Sequence, residues 1–112
     1  MWVDTHCHVY DPGDGNDTDS VLNLARDENI TLMICVGTAR DTSIRANEIA
    51  MANPDVFSTV GLHPHDAVDG TASVKDLITR DKVVGIGECG LDYHYEHSPR
   101  DTQQQVFAEH IE

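Results

Sequence analysis

Lysine is almost missing from this 112-residue chain: Lys75 and Lys82 are the only two, and seven basic side chains face twenty acidic ones, for a formal charge of -13. So sparse a basic set excludes the Lys and Arg stripe by which duplex readers hold a phosphate backbone, and the acidic field repels anionic membrane. An anionic substrate would need a bound cation to be held. The same Asp-rich balance is expected to suit a high-salt cytoplasm. Long apolar runs are missing too: the longest fall far short of the ~20 residues of a membrane-spanning helix. Paired cysteines are also absent. Cys7, Cys35 and Cys89 are an odd, scattered set without a C-x-x-C spacing, and no apolar leader opens the chain, so reduced thiols and a cytoplasmic location are expected.

What is present is 39% hydrophobic and 24% charged, the composition of a single domain, residues 1–112, with one modest core. Trp2-Val3 leading into two histidines reads as a first strand, and "DPGDGND" after it is dense in turn formers. Thr18 to Glu28 is helical in pattern, with Val21, Leu22 and Ala25 as a narrow apolar stripe. "TLMICVG" suits a strand covered on both faces. A second helix, capped by Thr42 or Ser43, carries Ala46, Ile49 and Ala50 and stops at Asn53-Pro54. The cycle repeats through a strand "VFSTVGL", a short helix capped by Ser73 with Val74, Leu77 and Ile78 on one face, and a strand "KVVGIGE". A last helix starts at Ser98-Pro99 or Asp101, with Phe107 and Ile111 one turn apart. Four strand-helix units in strict alternation predict an α/β fold with a parallel sheet. No stop signal follows Ile111-Glu112, so the pattern is expected to run on beyond it.

Three short stretches carry chemistry. In "THCH", His6 and His8 at i and i+2 of a strand point the same way, with Cys7 opposite, at the C-terminal strand end where parallel α/β folds place their sites. In "GLHPHDA", His63 and His65 follow the third strand, with Pro64 stiffening the backbone between them. In "VVGIGECGLDYHY", Glu88 ends an apolar strand without a cationic neighbour in sequence. A carboxylate there is costly to bury unless paired or bound to metal. Singly, each has a plain reading as a turn, a proline-stiffened polar loop or an exposed acid. Together, three separate strands bring imidazole and carboxylate to one edge, a donor set for Zn²⁺ or Mn²⁺, with Mg²⁺ admitted by further carboxylates. His94, Glu96 and His97 are expected to be solvated, His110 to lie at the surface, Cys89 to point away from the site, and Asp4 to orient an imidazole or cap a loop. Tyr93 and Arg100 are weaker candidates for substrate contact.

In order and approximate spacing, "VDTHCH", "GLHPH" and "GIGECGLDYHY", followed by "DTQQQVFAEHIE", resemble the TatD family of metal-dependent hydrolases within the amidohydrolase-like barrels, over nearly the whole chain. The resemblance implies a (β/α)8 TIM-barrel type fold, of which this chain covers about the first four β/α units, since eight units take roughly 250 residues. It implies a hydrolase of ester bonds, usually a deoxyribonuclease acting on DNA or another phosphodiester, with two divalent cations as cofactors (Mg, Zn or Mn). By matching motifs His6 and His8 would be metal ligands, Glu88 the bridging and catalytic carboxylate, and His63 and His65 would line a substrate phosphate pocket. The family pattern also has two later histidines and a late aspartate, outside these residues, and carries Asp or Asn where this chain has Tyr10, with Asp11 adjacent. Other H-x-H barrel hydrolases, such as PHP-type phosphoesterases or amidases, fit "GLHPH" and "GECGLDY" less well. Four strands leave open edges, so the alternative is a metal-binding half barrel, inactive by itself, that needs a second copy or a C-terminal half to close.

Overall fold

The computed structural model describes residues 1–112 and alternates strand with helix: β1 (Trp2–Cys7), α1 (Thr18–Asp27), β2 (Ile30–Cys35), α2 (Arg40–Ala52), β3 (Val56–Val60), β4 (Val83–Ile86) and α3 (Arg100–Ile111). All neighbours in the four-stranded sheet are parallel, in the order β1-β2-β3-β4. Chain order and spatial order coincide, so each strand exit lies beside the next along one edge. No helix is long and apolar enough to cross a membrane.

α1 begins where Asp17 accepts the Ser20 N–H at 2.9 Å. Its far end is tied by Arg26, whose Nε and a terminal nitrogen each donate to Asp55 at 2.8 Å, and this guanidinium holds the Asp55 carboxyl below the usual carboxylate range. α2 starts earlier than expected, with Ala39 as N-cap. Thr42 still supplies the cap, from inside the first turn: its Oγ1 accepts the backbone N–H of Thr38 at 2.9 Å and of Ala39 at 2.8 Å, whereas Ser43 is buried.

The short helix expected after Ser73 is instead a single 3-10 turn, Lys75–Leu77, and two more, Pro64–Asp69 and Thr71–Ser73, precede it. Breaks at Gly70, with φ of 70°, and at Val74, with φ of -119°, cut the segment into pieces too short for α-helical pairing. The apolar stripe partly survives: Val74 and Leu77 are buried, and Ile78 is exposed. In α3 the buried face is Gln103 and Val106 rather than Phe107 and Ile111, and Ile111 is 72% exposed. The buried face is fixed by polar anchoring, because His110 on that side accepts the Leu62 N–H at 3.0 Å and bonds the Val106 carbonyl at 2.7 Å. His110 is therefore a half-buried anchor rather than a free surface side chain.

Two apolar clusters support the sheet. One joins Tyr10, Leu22, Met33, Cys35, Ala46 and Val56 under β1 and β2; the other joins Val60, Leu62, Ala67, Val74, Leu77 and Val106 beside β3. The outer strands are less covered than a closed parallel sheet would allow: Trp2 is 71% exposed and Val84 54%, and Val3 and Ile86 are also open.

Candidate metal centre

Strand exits from three units converge. β1 ends at Cys7 with its thiol turned inward, donating to the Ile34 carbonyl at 3.3 Å, so His6 and His8 on either side emerge on the opposite face. Their Nε2 atoms stand 3.2 Å apart. Glu88 arrives just past β4, pinned by backbone bonds: Gly87 N–H to the Val60 carbonyl at 2.9 Å and Glu88 N–H to the Gly37 carbonyl at 2.7 Å. That approach requires Gly61, where a Cβ would lie 2.5 Å from the Gly87 carbonyl carbon.

The carboxylate faces two ways. Glu88 Oε2 lies 3.4 Å from His6 Nε2 and 3.7 Å from His8 Nε2, while Oε1 lies 3.7 Å from His63 Nε2. Bonds of about 2.0–2.1 Å to a tetrahedral ion set neighbouring donors roughly 3.3–3.4 Å apart, so the His6, His8 and Glu88 atoms fit one divalent cation with little movement. All three donor atoms lie within 4.8 Å of one another. The imidazoles are exposed and Glu88 is half-buried, which leaves a substrate side open.

The hydrogen bonds distinguish the imidazoles by tautomer. His8 Nδ1 meets the Val36 carbonyl at 2.9 Å and the Tyr10 hydroxyl at 2.8 Å, and Tyr10 itself donates to Val36 at 3.1 Å. The carbonyl only accepts, so Nδ1 carries the proton and Nε2 presents a lone pair, as a metal ligand must. Ligation through both Nε2 atoms also requires the His6 proton to sit on Nδ1. At His63 the roles reverse: Nδ1 accepts the His65 backbone N–H at 3.1 Å, which leaves neutral Nε2 as a donor aimed at Glu88. His65 is turned elsewhere and donates from Nε2 to Asp92 Oδ2 at 2.7 Å.

Of the residues expected at the site, His6, His8, Glu88 and His63 are brought together, whereas His65 lies beside His63 and is held by Asp92. Asp4 orients no imidazole; its carboxylate accepts the His6 backbone N–H at 3.0 Å. Tyr10, noted in the sequence only as a departure, is buried and braces His8, and burial raises its phenol pKa. Asp92 and Gln103 gave no sequence signal as site residues, although "LDY" lies inside a quoted motif. Gln103 is fully buried and clamps Asp92 from both sides, accepting its N–H at 2.7 Å and donating to its carbonyl at 3.0 Å. His94 and His97 are exposed as expected, and Arg100 pairs with Glu96 while lying 4.7 Å over the Tyr93 ring. Cys89 is half-buried, and burial pushes its thiol pKa up.

A family model described as TatD related DNase matches residues 3–112. The uncharacterized metal-dependent hydrolase YabD of Bacillus subtilis is 38% identical over 115 residues, covering 99% of this chain and 45% of that protein. The 3'-5' ssDNA/RNA exonuclease TatD of Musicola paradisiaca is 38% identical over 98 residues, covering 83% of this chain and 37% of its own. Among solved structures, YJJV, a TatD homolog from Escherichia coli K12, superposes with a TM-score of 0.84 at 26% identity over 98% of this chain and 45% of that one. A TatD family hydrolase from Entamoeba histolytica shares the fold with a TM-score of 0.80 at 22% identity, over 97% and 44%. The chain thus spans less than half the length of these relatives, and its four parallel strands fit the first four β/α units of a TIM barrel.

Proposed function

Because the chain belongs to the TatD related DNase family, we propose that it carries the first part of a metal-dependent phosphodiester hydrolase site, acting on DNA or another nucleic acid. The observation that carries this reading is the approach of His6 Nε2, His8 Nε2 and Glu88 Oε2 to within 3.2–3.7 Å of one another. In the proposal His6 and His8 hold one divalent cation (Mg, Zn or Mn). Glu88, which lies within 3.4 Å of His6, would help to hold that ion and a second one. Such ions supply Lewis acidity, acidifying water toward neutrality and offsetting the phosphodiester charge. That role answers the acidic composition, since the chain offers few basic side chains for phosphate.

The chain's own groups then divide the work. Glu88 accepts a proton from the attacking water, as its half-exposed position beside open solvent allows. The His63 Nε2–H donates to a phosphoryl oxygen, and His65 lines the same approach with its ring. Tyr10 and the Val36 carbonyl hold His8 in the ligating tautomer. The free thiols of Cys7, Cys35 and Cys89 fit a reducing cytoplasm.

The decisive experiment combines metal analysis of the purified chain with hydrolysis of a single-stranded oligonucleotide, with and without chelator. Bound metal and chelator-sensitive cleavage are expected, with both reduced in Glu88→Gln. Full occupancy and turnover in that variant would refute the assignment. A second reading is favoured by the open β1 and β4 edges and the exposed Trp2, Val3, Val84 and Ile86: hydrolysis requires further strands, from a second copy or a C-terminal half, to close the barrel. Under that reading the chain alone binds metal without cleaving, and associates in sedimentation.

A further inference from the structure

Past the metal centre the rim carries an unbroken run of rings. His63, which faces Glu88, sits edge to face with His65 at 4.3 Å between centroids; His65 meets His97 at 4.4 Å; and His97 lies nearly parallel to Tyr95, 16° between planes and 5.9 Å between centroids. His94 adds a further edge contact to Tyr95 at 4.6 Å. Tyr95, near the far end, is 65% exposed. Aromatic side chains normally bury much of their surface, and so exposed a ring at the end of such a run has no role in either apolar cluster.

The loop that presents these rings is rigidly built. Asp92 Oδ1 accepts the N–H of His94 at 3.0 Å and of Tyr95 at 3.1 Å, while Oδ2 holds His65. Buried Gln103 clamps the Asp92 backbone and donates to the Ser98 carbonyl at 2.8 Å. Ser98, also buried, donates from Oγ to the His65 carbonyl at 2.8 Å. Both ends of the loop and the floor beneath it are therefore fixed before anything binds, which removes the ordering cost that a floppy loop would impose on a ligand.

We propose that residues 93–97, with His65 behind them, form a stacking platform for a base of a single-stranded nucleic acid whose phosphodiester is held at the metal centre. This rests on the hydrolase reading above and names a subsite for it. The charge balance supports the platform: Arg100 is engaged by Glu96 and Tyr93, and with a formal charge of -13 the chain does not draw in a phosphate backbone electrostatically. The faces of the bases are the part of the polymer that an acidic surface can hold, and stacking on aromatic rings accepts any base. A duplex buries those faces, so the platform selects an unpaired strand.

The test is fluorescence anisotropy of the metal-loaded chain with two probes of equal length and charge: a four-nucleotide oligothymidylate with phosphorothioate linkages, and an abasic strand with the same backbone. Stronger binding of the oligothymidylate is expected, by roughly 5-fold or more, the low end of what one stacked base contributes. Tyr95→Ala should erase the difference and Tyr95→Phe should keep it, with upfield shifts of the thymine protons seen for wild type and the Phe variant only. Equal binding of the two strands by wild type, or a preference that survives in Tyr95→Ala, overturns the platform and leaves the phosphodiester reading standing. Failure of the metal-loaded chain to bind either strand overturns that reading and the platform with it.

Discussion

His6/His8 and His63/His65 are written with the same spacing, follow strands of the same sheet and reach the same rim, yet the fold uses them differently. The first pair belongs to extended backbone leaving β1, so its rings turn the same way and their Nε2 atoms converge to 3.2 Å. The second pair straddles Pro64, which confines His63 to an extended conformation (φ -58°, ψ 146°) and then starts a 3-10 turn. Residues two apart in such a turn point in different directions, so His63 faces Glu88 and His65 faces Asp92. The turn also consumes His63 Nδ1 as a cap for the His65 N–H, whereas His8 Nδ1 donates to a carbonyl. Equal spacing thus yields one pair in which His8 offers a metal the lone pair of Nε2, and another in which the Nε2 atoms offer N–H.

The largest effect expected from that difference is on metal affinity. His8→Ala should weaken Zn²⁺ or Mn²⁺ binding by more than the roughly 10–100-fold that loss of an outer-shell partner costs, while His63→Ala leaves it nearly unchanged. Calorimetric titration of the two variants decides the matter. Comparable losses in both would break the comparison by showing that His63 also ligates.

Next comes the packing that sets the pairs at their distance. Gly61→Ala places a Cβ against the Gly87 backbone, 2.5 Å from its carbonyl carbon, where no flexible side chain can give way. A loss of about 1–3 kcal/mol is expected, typical of overpacking, read as a lowered denaturant midpoint, together with weaker metal binding as Glu88 is displaced. An unmoved midpoint would mean that the β3 exit has slack.

The strand alternation and the convergence of His6, His8 and Glu88 were legible in the sequence because both rest on short-range periodicity: alternating faces in a strand, and apolar stripes that recur every third or fourth residue. The segment between Gly70 and Lys82 was not. Val74 and Leu77 lie three apart, a spacing shared by an α-helix and by 3-10 turns, and only the backbone break at Val74, with φ of -119°, tells the two apart. Nor could the sequence show which face α3 buries, since Gln103 and His110 do so through hydrogen bonds to Asp92 and Leu62, partners 11 and 48 residues away. Tyr10 was hidden for a related reason: its partner Val36 lies 26 residues on, and a tyrosine in place of a short polar side chain gives no sign that it braces His8.

That brace gives a smaller effect. Tyr10→Phe keeps the ring in the first apolar cluster and removes the hydroxyl, while His8 Nδ1 keeps the Val36 carbonyl at 2.9 Å. With one of two partners retained, metal affinity should fall by about 10-fold, the low end of outer-shell losses. Affinity equal to wild type would assign the tautomer to Val36 alone.

The smallest effect belongs to the second pair and appears only in acid. The Asp92 carboxyl is held down at about 2, first by the Tyr95 backbone N–H and then by His65 and the His94 N–H. A carboxylate whose folded value lies below its unfolded one, 3.8, contributes its full support above the unfolded value and loses it as pH falls through the folded one. The 92–97 loop should therefore keep its hydrogen bonds down to about pH 4 and release them toward and below about pH 2. The amide proton shifts of Tyr95 and His94 report this directly, and in Asp92→Asn they should already differ from wild type at neutral pH. No counterpart is expected at the Tyr10 and Val36 bonds that brace His8, because neither partner there is a carboxylate. If the Tyr95 amide ignores acid, the loop is held by Gln103 and Ser98 rather than by charge, and His65 is oriented by its neighbours' rings instead of by Asp92.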